Sequence, residues 1–180
     1  GVIRPVTEMV GKMTRSRHIG ILATAGTVAS QSYVIETNKY FPEVTVVQEA
    51  CPMWVPLVEN NEFDGDGADY FVRRHIDRLL AADPRIDTVV LGCTHYPLLE
   101  KKIRRCLSAE IAVVSQGTIV AQSLADYLLR HPEIAERCSA RGRRDFYSSE
   151  TPEVFQRSAI LFYGQPVPCR WRRRPQPDAD

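Results

Sequence analysis

The chain has 180 residues, of which 44% are hydrophobic and 25% charged, and its 23 basic and 22 acidic side chains leave a net charge of +1. A globular chain of this size buries roughly 70% of its unfolded surface, so a real core is expected. The near-neutral balance argues against bulk electrostatic binding to nucleic acid or to an anionic membrane. No apolar run approaches the roughly 20 residues of a membrane span, and the first residues show no signal-peptide pattern.

The chain opens at Gly1 rather than Met, and Gly1-Val2-Ile3 reads as the end of a strand already under way. The start of a longer protein is therefore expected to precede it. Residues 19–24 then read as a short buried strand, 28–40 as a helix, and 44–47 as a second strand. Residues 68–82 follow as an amphipathic helix with Phe71, Ile76, Leu79 and Leu80 near helical spacing. A third strand is expected at 88–91, a helix at 97–107 with Pro97 near its first position, a fourth strand at 111–114 and a helix at 118–130. Strand–helix alternation of this kind predicts an α/β fold, a mostly parallel sheet flanked by helices.

Beyond Arg130 the texture changes. His131-Pro132 stops the helix, and Arg137, Arg141, Arg143 and Arg144 form a basic stretch. Phe146-Tyr147 reads as one more short strand and 152–162 as a last helix. The tail from Gln165 gathers prolines around Arg170-Trp171-Arg172-Arg173-Arg174 and reads as a solvated, disordered end. A weak nucleic-acid or partner contact is the sharper alternative for it.

Five cysteines, an odd number at wide spacing with no C-x-x-C pair, argue against a zinc cage or a thioredoxin-type site and for reduced thiols in a cytosolic protein. One of them stands apart. In Leu91-Gly92-Cys93-Thr94-His95-Tyr96-Pro97 a buried strand ends, a glycine permits a tight turn, a cysteine follows, and a helix starts. Ligands of open α/β sheets bind outside the carboxyl ends of the strands, and a helix start carries partial positive charge that favours a thiolate. His95 is placed to hydrogen-bond the sulfur or to stabilise ligand charge.

Two other strand ends carry polar groups. Thr24, Thr27 and Ser30 follow the first strand and suit a carboxylate or phosphate, although a threonine N-cap is common for stability alone. The segment Cys51-Pro52-Met53-Trp54-Val55-Pro56-Leu57-Val58-Glu59 follows the second, and Glu59 is expected to be partly buried and to need a partner. Cys51 and Cys106 read as packing, Cys138 and Cys169 as incidental, and His18 and His75 as surface residues in basic neighbourhoods. Glu49 reads as a strand-end charge. Asp64-Gly65-Asp66-Gly67 resembles a calcium loop only in part, lacks the closing glutamate, and is better read as a turn. No metal site is expected.

Taken together, G-C-T-H-Y-P-L at 92–98, A-T-A-G-T-V at 23–28 and A-C-P…V-P-L-V-E at 50–59 resemble three segments of the bacterial glutamate racemases, in that family's order and spacing. The resemblance runs from Gly1 to about residue 163. It implies one lobe of the Asp/Glu-racemase type at 1–115, part of a second at 116–163 that returns to an earlier lobe, and a Pro/Arg-rich tail at 164–180. It also implies cofactor-independent interconversion of L- and D-glutamate in the cytoplasm, supplying D-glutamate for peptidoglycan, by a homodimer when full length. Two cysteines on opposite faces of the substrate exchange the Cα proton. Cys93 matches the second of these. Thr94 and His95 match residues that contact substrate and assist the thiol, Glu59 an acidic residue near the site, and Thr24 and Thr27 hydroxyl contacts to a substrate carboxylate.

The family's D-S-G-x-G-G and C-N-T segments, which surround its first cysteine, do not occur here, and the A-C-P context of Cys51 matches a different segment. The chain is therefore expected to be the carboxyl-terminal part of such a racemase, inactive alone. Ser115 stands where many members carry aspartate. Related enzymes acting on aspartate, a hydantoin or maleate, and a non-enzymatic ligand-binding module, are the alternatives.

Overall fold

The computed structural model describes residues 1–139, 142 and 144–171. The chain divides into two compact units, Gly1–Arg130 and His131–Asp180.

The first unit is an α/β layer structure. Its elements in order are α1 (Ile3–Met13), β1 (His18–Ala23), α2 (Ala25–Ala29), α3 (Ser32–Tyr40), β2 (Thr45–Ala50), α4 (Trp54–Glu59), α5 (Asp66–Ala82), β3 (Thr88–Leu91), a 3-10 turn (Tyr96–Leu99), α6 (Glu100–Cys106), β4 (Ala112–Ser115) and α7 (Gln116–Arg130). The four strands form one parallel sheet in the order β2-β1-β3-β4. Register aligns Ala23 with Ala50, Leu22 with Leu91, and Leu91 with Ser115, so all four carboxyl ends lie along one edge.

Side-chain alternation splits the core between the two faces of the sheet. Leu22, Val89 and Leu91 pack with Trp54, Val72, Ile76, Leu79, Tyr96 and Ile103 from α4, α5, the 3-10 turn and α6. Ile19, Ile21, Ala23, Val90 and Val114 pack with Val6, Val10 and Tyr33 from α1 and α3, and with the partly buried Ile119 and Val120 of α7. Gly20 lets α5 approach the sheet closely, since a Cβ there would sit 2.6 Å from Leu79 Cδ2.

Three sequence expectations are corrected in this unit. Residues 1–3 do not end a strand; Ile3 begins α1, whose buried Val6, Thr7 and Val10 recur at helical spacing. The helix expected over 28–40 is two helices. Gln31 adopts a left-handed φ of 53°, and Ser30 Oγ bonds Thr27 O and Ser32 Oγ at 2.8 and 2.7 Å. Local hydroxyl bonds compete with the helical ladder at this point. Finally, the helix after Pro97 begins as the 3-10 turn and becomes α-helical only at Glu100.

The Asp64-Gly65-Asp66-Gly67 run is a turn into α5, and an ammonium group stands against it. Lys102 Nζ donates to the carbonyls of Asp64 and Gly65 at 3.0 and 3.3 Å and pairs with Asp69 Oδ2 at 2.8 Å.

The second unit contains α8 (Pro132–Ala135), β5 (Phe146–Ser148), α9 (Pro152–Tyr163) and β6 (Cys169–Trp171). β5 and β6 pair in parallel, Phe146 opposite Cys169. Part of the expected disordered tail is thus a strand, and residues 172–180 lie outside the described residues, as do Arg141 and Arg143. Among the described residues no helix is long and apolar enough to cross a membrane.

Candidate active site at the carboxyl ends of the strands

The strand order reverses direction between β1 and β3. The chain steps outward from β1 to β2, then crosses back to β3 on the other side. In doubly wound sheets this switch point is where a crevice opens. Thr24 follows β1 and Cys93 follows β3, so the two flank it.

The turn that carries Cys93 is held tightly. Gly92 N donates to Leu22 O at 2.8 Å, continuing the β1–β3 ladder past the strand end. A Cβ on Gly92 would sit 3.0 Å from Leu22 O, 3.1 Å from Ala23 Cβ and 3.3 Å from Tyr33 Cε2, so any side chain here presses on the neighbouring strand. Tyr96 N then donates to Cys93 O at 3.2 Å and Leu98 N to His95 O at 3.2 Å, which curls residues 93–98 into the 3-10 turn. Cys93 is half-buried at the edge of this turn.

Cys93, Thr94, His95 and Glu59 are brought together. Cys93 Sγ lies 3.8 Å from His95 Nδ1, and Thr94 Oγ1 lies 3.4 Å from the same nitrogen. His95 Nε2 lies 2.5 Å from Glu59 Oε1. A carboxylate only accepts, so Nε2 carries a proton and Nδ1 is left facing the sulfur. Neutral His95 then accepts from the thiol, and protonated His95 donates to the thiolate. Glu59 stands beside the partner it was expected to need, with 47% of its side chain exposed.

Thr24 and Thr27 bond each other. Their hydroxyls are 3.0 Å apart and Thr27 N donates to Thr24 Oγ1 at 3.4 Å, the N-cap of α2. Beyond β4, Ser115 Oγ donates to Glu100 Oε2 at 3.1 Å and Gln116 Nε2 to Leu91 O at 2.9 Å.

Two buried tyrosines lie on either side of the Cys93 turn, and the sequence reading passed over both. Tyr33, 1% exposed on the α3 face, has its phenol pushed up to about 12, first by burial and then by the charge of Cys93. Tyr96, fully buried on the opposite face, donates its hydroxyl to Cys51 O at 3.1 Å, and burial likewise raises its phenol. The spacing of Tyr96 with Leu99 and Ile103, all buried, was the available signal.

Cys51 is fully buried, and its thiol is pushed up by burial and then by Glu49. The two histidines read as surface residues are corrected. His75 is buried, bonds Glu49 Oε1 at 2.7 Å and stands edge-on to Trp54 at 6.1 Å. His18 bonds Asp83 Oδ2 at 2.7 Å, with only 14% of its side chain exposed. Glu49 is accordingly a paired residue, also 3.6 Å from Arg78. Among the described residues no group of three or more His, Cys, Asp or Glu is placed to hold a metal ion. A cavity of about 610 Å3, lined by Met13, Arg15, Asp87, Thr88, Glu110 and Ala112, lies at the amino ends of β3 and β4, the end away from Cys93.

The sequence profile of the Asp/Glu/Hydantoin racemase family matches residues 1–124. The chain belongs to that family. Its relatives include the glutamate racemase of Geobacter metallireducens, 35% identical over 164 residues, which span 91% of this chain and 60% of that protein. The glutamate racemase of Shouchella clausii is 35% identical over 159 residues, 88% of this chain and 56% of the other. Among solved structures, a glutamate racemase isoform from Bacillus anthracis superimposes with a TM-score of 0.85 at 28% identity, covering 96% of this chain and 63% of its own. One from Francisella tularensis, in complex with D-glutamate, shares the fold at a TM-score of 0.82 and 19% identity, covering 97% of this chain and 62% of its own. This racemase-family chain thus spans about 60% of the length of the curated relatives it matches.

Proposed function

We propose that this chain carries one half of the catalytic apparatus of a glutamate racemase. The observation that carries the reading is the Cys93–His95–Glu59 arrangement at the switch point of the sheet. Inverting a Cα centre requires removal of a proton from one face and delivery to the other. Each group must come within hydrogen-bond reach of the proton it moves.

Cys93 Sγ, as thiolate, takes the Cα proton on one face, or as thiol returns one. His95 Nδ1 takes up or gives back the sulfur's proton as the thiol and thiolate interchange. Glu59 holds the imidazole through Nε2, so the tautomer at Nδ1 is fixed. Thr94, Thr24 and Thr27 offer hydroxyl donors to the carboxylates of glutamate. The reaction so drawn uses no cofactor.

The opposite face needs a second base. Cys51 is unsuited to that role, being sealed in the core with a raised thiol. We place the second base, a cysteine, in the length that the relatives have beyond the matched segment, and residues 116–163 against that same part. The complete enzyme is then a cytoplasmic homodimer supplying D-glutamate for peptidoglycan. The relatives it matches are glutamate racemases, which supports glutamate over other substrates of the family.

The test is circular dichroism of L- and D-glutamate solutions. One arm uses the chain alone, and the other uses the chain joined to the part of the Geobacter metallireducens relative left uncovered by the match. Racemisation is expected only in the joined protein and drops roughly 100-fold or more in its Cys93→Ala variant. Racemisation by the chain alone, or by the joined Cys93→Ala variant at full rate, overturns the reading.

A further inference from the structure

An exposed ion pair does not hold its own geometry. Pairs open to solvent contribute little, because their attraction is screened and is offset by the entropy of ordering two side chains. His95 and Glu59 are such a pair, with side chains 21% and 47% exposed, and they come from different elements. Something more rigid must set α4 against the Cys93 turn.

Tyr96 is the residue that does so. Its backbone N–H donates to Cys93 O at 3.2 Å, inside the turn, and it directly follows His95. Its hydroxyl donates to Cys51 O at 3.1 Å, in the segment leaving β2. Its ring stands edge-on to Trp54, centroids 4.8 Å apart at 65°. Trp54 is the first residue of α4 and Glu59 is the last. One fully buried side chain therefore joins the segments that carry the sulfur, the imidazole and the carboxylate. Trp54 also meets the buried His75 edge-on, ring centroids 6.1 Å apart.

We propose that Tyr96 is a positioning residue that fixes the His95–Glu59 pair against Cys93, anchored by its hydroxyl on the Cys51 carbonyl. The inference rests on the proton-transfer reading of Cys93 given above. Without the hydroxyl, the buried Cys51 carbonyl loses its side-chain donor and the segment leaving β2 is no longer tied to the turn. His95 then drifts from the sulfur and from Glu59 while the core remains filled by the phenyl ring.

The experiment measures alkylation of each cysteine by iodoacetamide across the thiol titration range, resolved by peptide mass spectrometry, on the full chain. His95→Ala slows Cys93 alkylation at neutral pH by about ten-fold, because the ring nitrogen 3.8 Å from the sulfur that exchanges its proton is gone. Tyr96→Phe shifts the Cys93 pH profile in the same direction, by about three-fold or more, while alkylation of exposed Cys138 is unchanged. A merely structural tyrosine would lower the unfolding midpoint and leave the profile in place. If Tyr96→Phe does not fold, shown by loss of Cys51 protection, Trp54→Phe is read in the same way, because it loosens the same stack. An unmoved Cys93 profile in the folded variant, with His95→Ala slowed, overturns the positioning role and leaves the role of Cys93 intact. An unmoved profile in His95→Ala overturns both.

Discussion

His95 Nε2 lies 2.5 Å from Glu59 Oε1 across 36 residues of sequence, and this contact decides what the other nitrogen of the ring can do. With one proton committed to the carboxylate, Nδ1 serves the sulfur of Cys93 as acceptor or donor according to its own protonation. His95→Ala in the joined, active protein is expected to lower the racemisation rate roughly 100-fold. Glu59→Gln still accepts from Nε2, and the exposed pair is worth about 1 kcal/mol at most, so its loss stays within about five-fold. Steady-state kinetics in both directions checks the ranking.

Gly92→Ala is expected to destabilise the fold by about 1–3 kcal/mol. Its Cβ would press on Leu22 O at 3.0 Å and Ala23 Cβ at 3.1 Å, both part of β1 and unable to rotate away. Urea unfolding of the chain measures the change. Because the same contact seats the Cys93 turn, Cys93 alkylation changes with it.

The cysteines should separate by reactivity. Cys51 is fully buried with its thiol raised, and Cys138 is exposed. Under native conditions iodoacetamide labels Cys138 and Cys93 and spares Cys51, which becomes reactive only when the chain is unfolded. Quantitative peptide mapping checks this order.

Acid should loosen the amino end of the sheet first. Burial alone would raise the Asp87 carboxyl, but donors from Thr14 Oγ1, Ser16 N, Thr88 Oγ1 and Arg15 N outweigh it and hold the group down to about 2. The unfolded chain takes up this proton near the usual 3.8. The stabilisation is therefore complete above that value and is lost as pH falls through about 2. Asp87→Ala is expected to cost about 2 kcal/mol at neutral pH and to flatten stability against pH over that window, measured by urea midpoints.

All four strands of the sheet were legible from β-branched apolar runs, and each lies within a few residues of its expected place. Cys93 at a strand end was legible for the same reason, since the run 88–91 stops at a glycine. The break at Gln31 was not, because the apolar spacing continues through it while hydroxyl bonds among Thr27, Ser30 and Ser32 undo the helix locally. The burial of His75 and the anchoring of Tyr96 were hidden because both depend on partners brought in by strand register, Glu49 and Cys51 at the end of β2. Local sequence around a histidine reports its neighbours in the chain and not the carboxylate that folding places beside it.

The most direct test of Cys93 as a base is loss of deuterium from Cα-deuterated D- and L-glutamate, followed by NMR in the joined protein and its Cys93→Ala variant. The expected result is washout from both enantiomers in the parent and from at most one in the variant, whose remaining base reaches only one face. Undiminished washout from both enantiomers after Cys93→Ala would contradict a role for this sulfur in moving the proton.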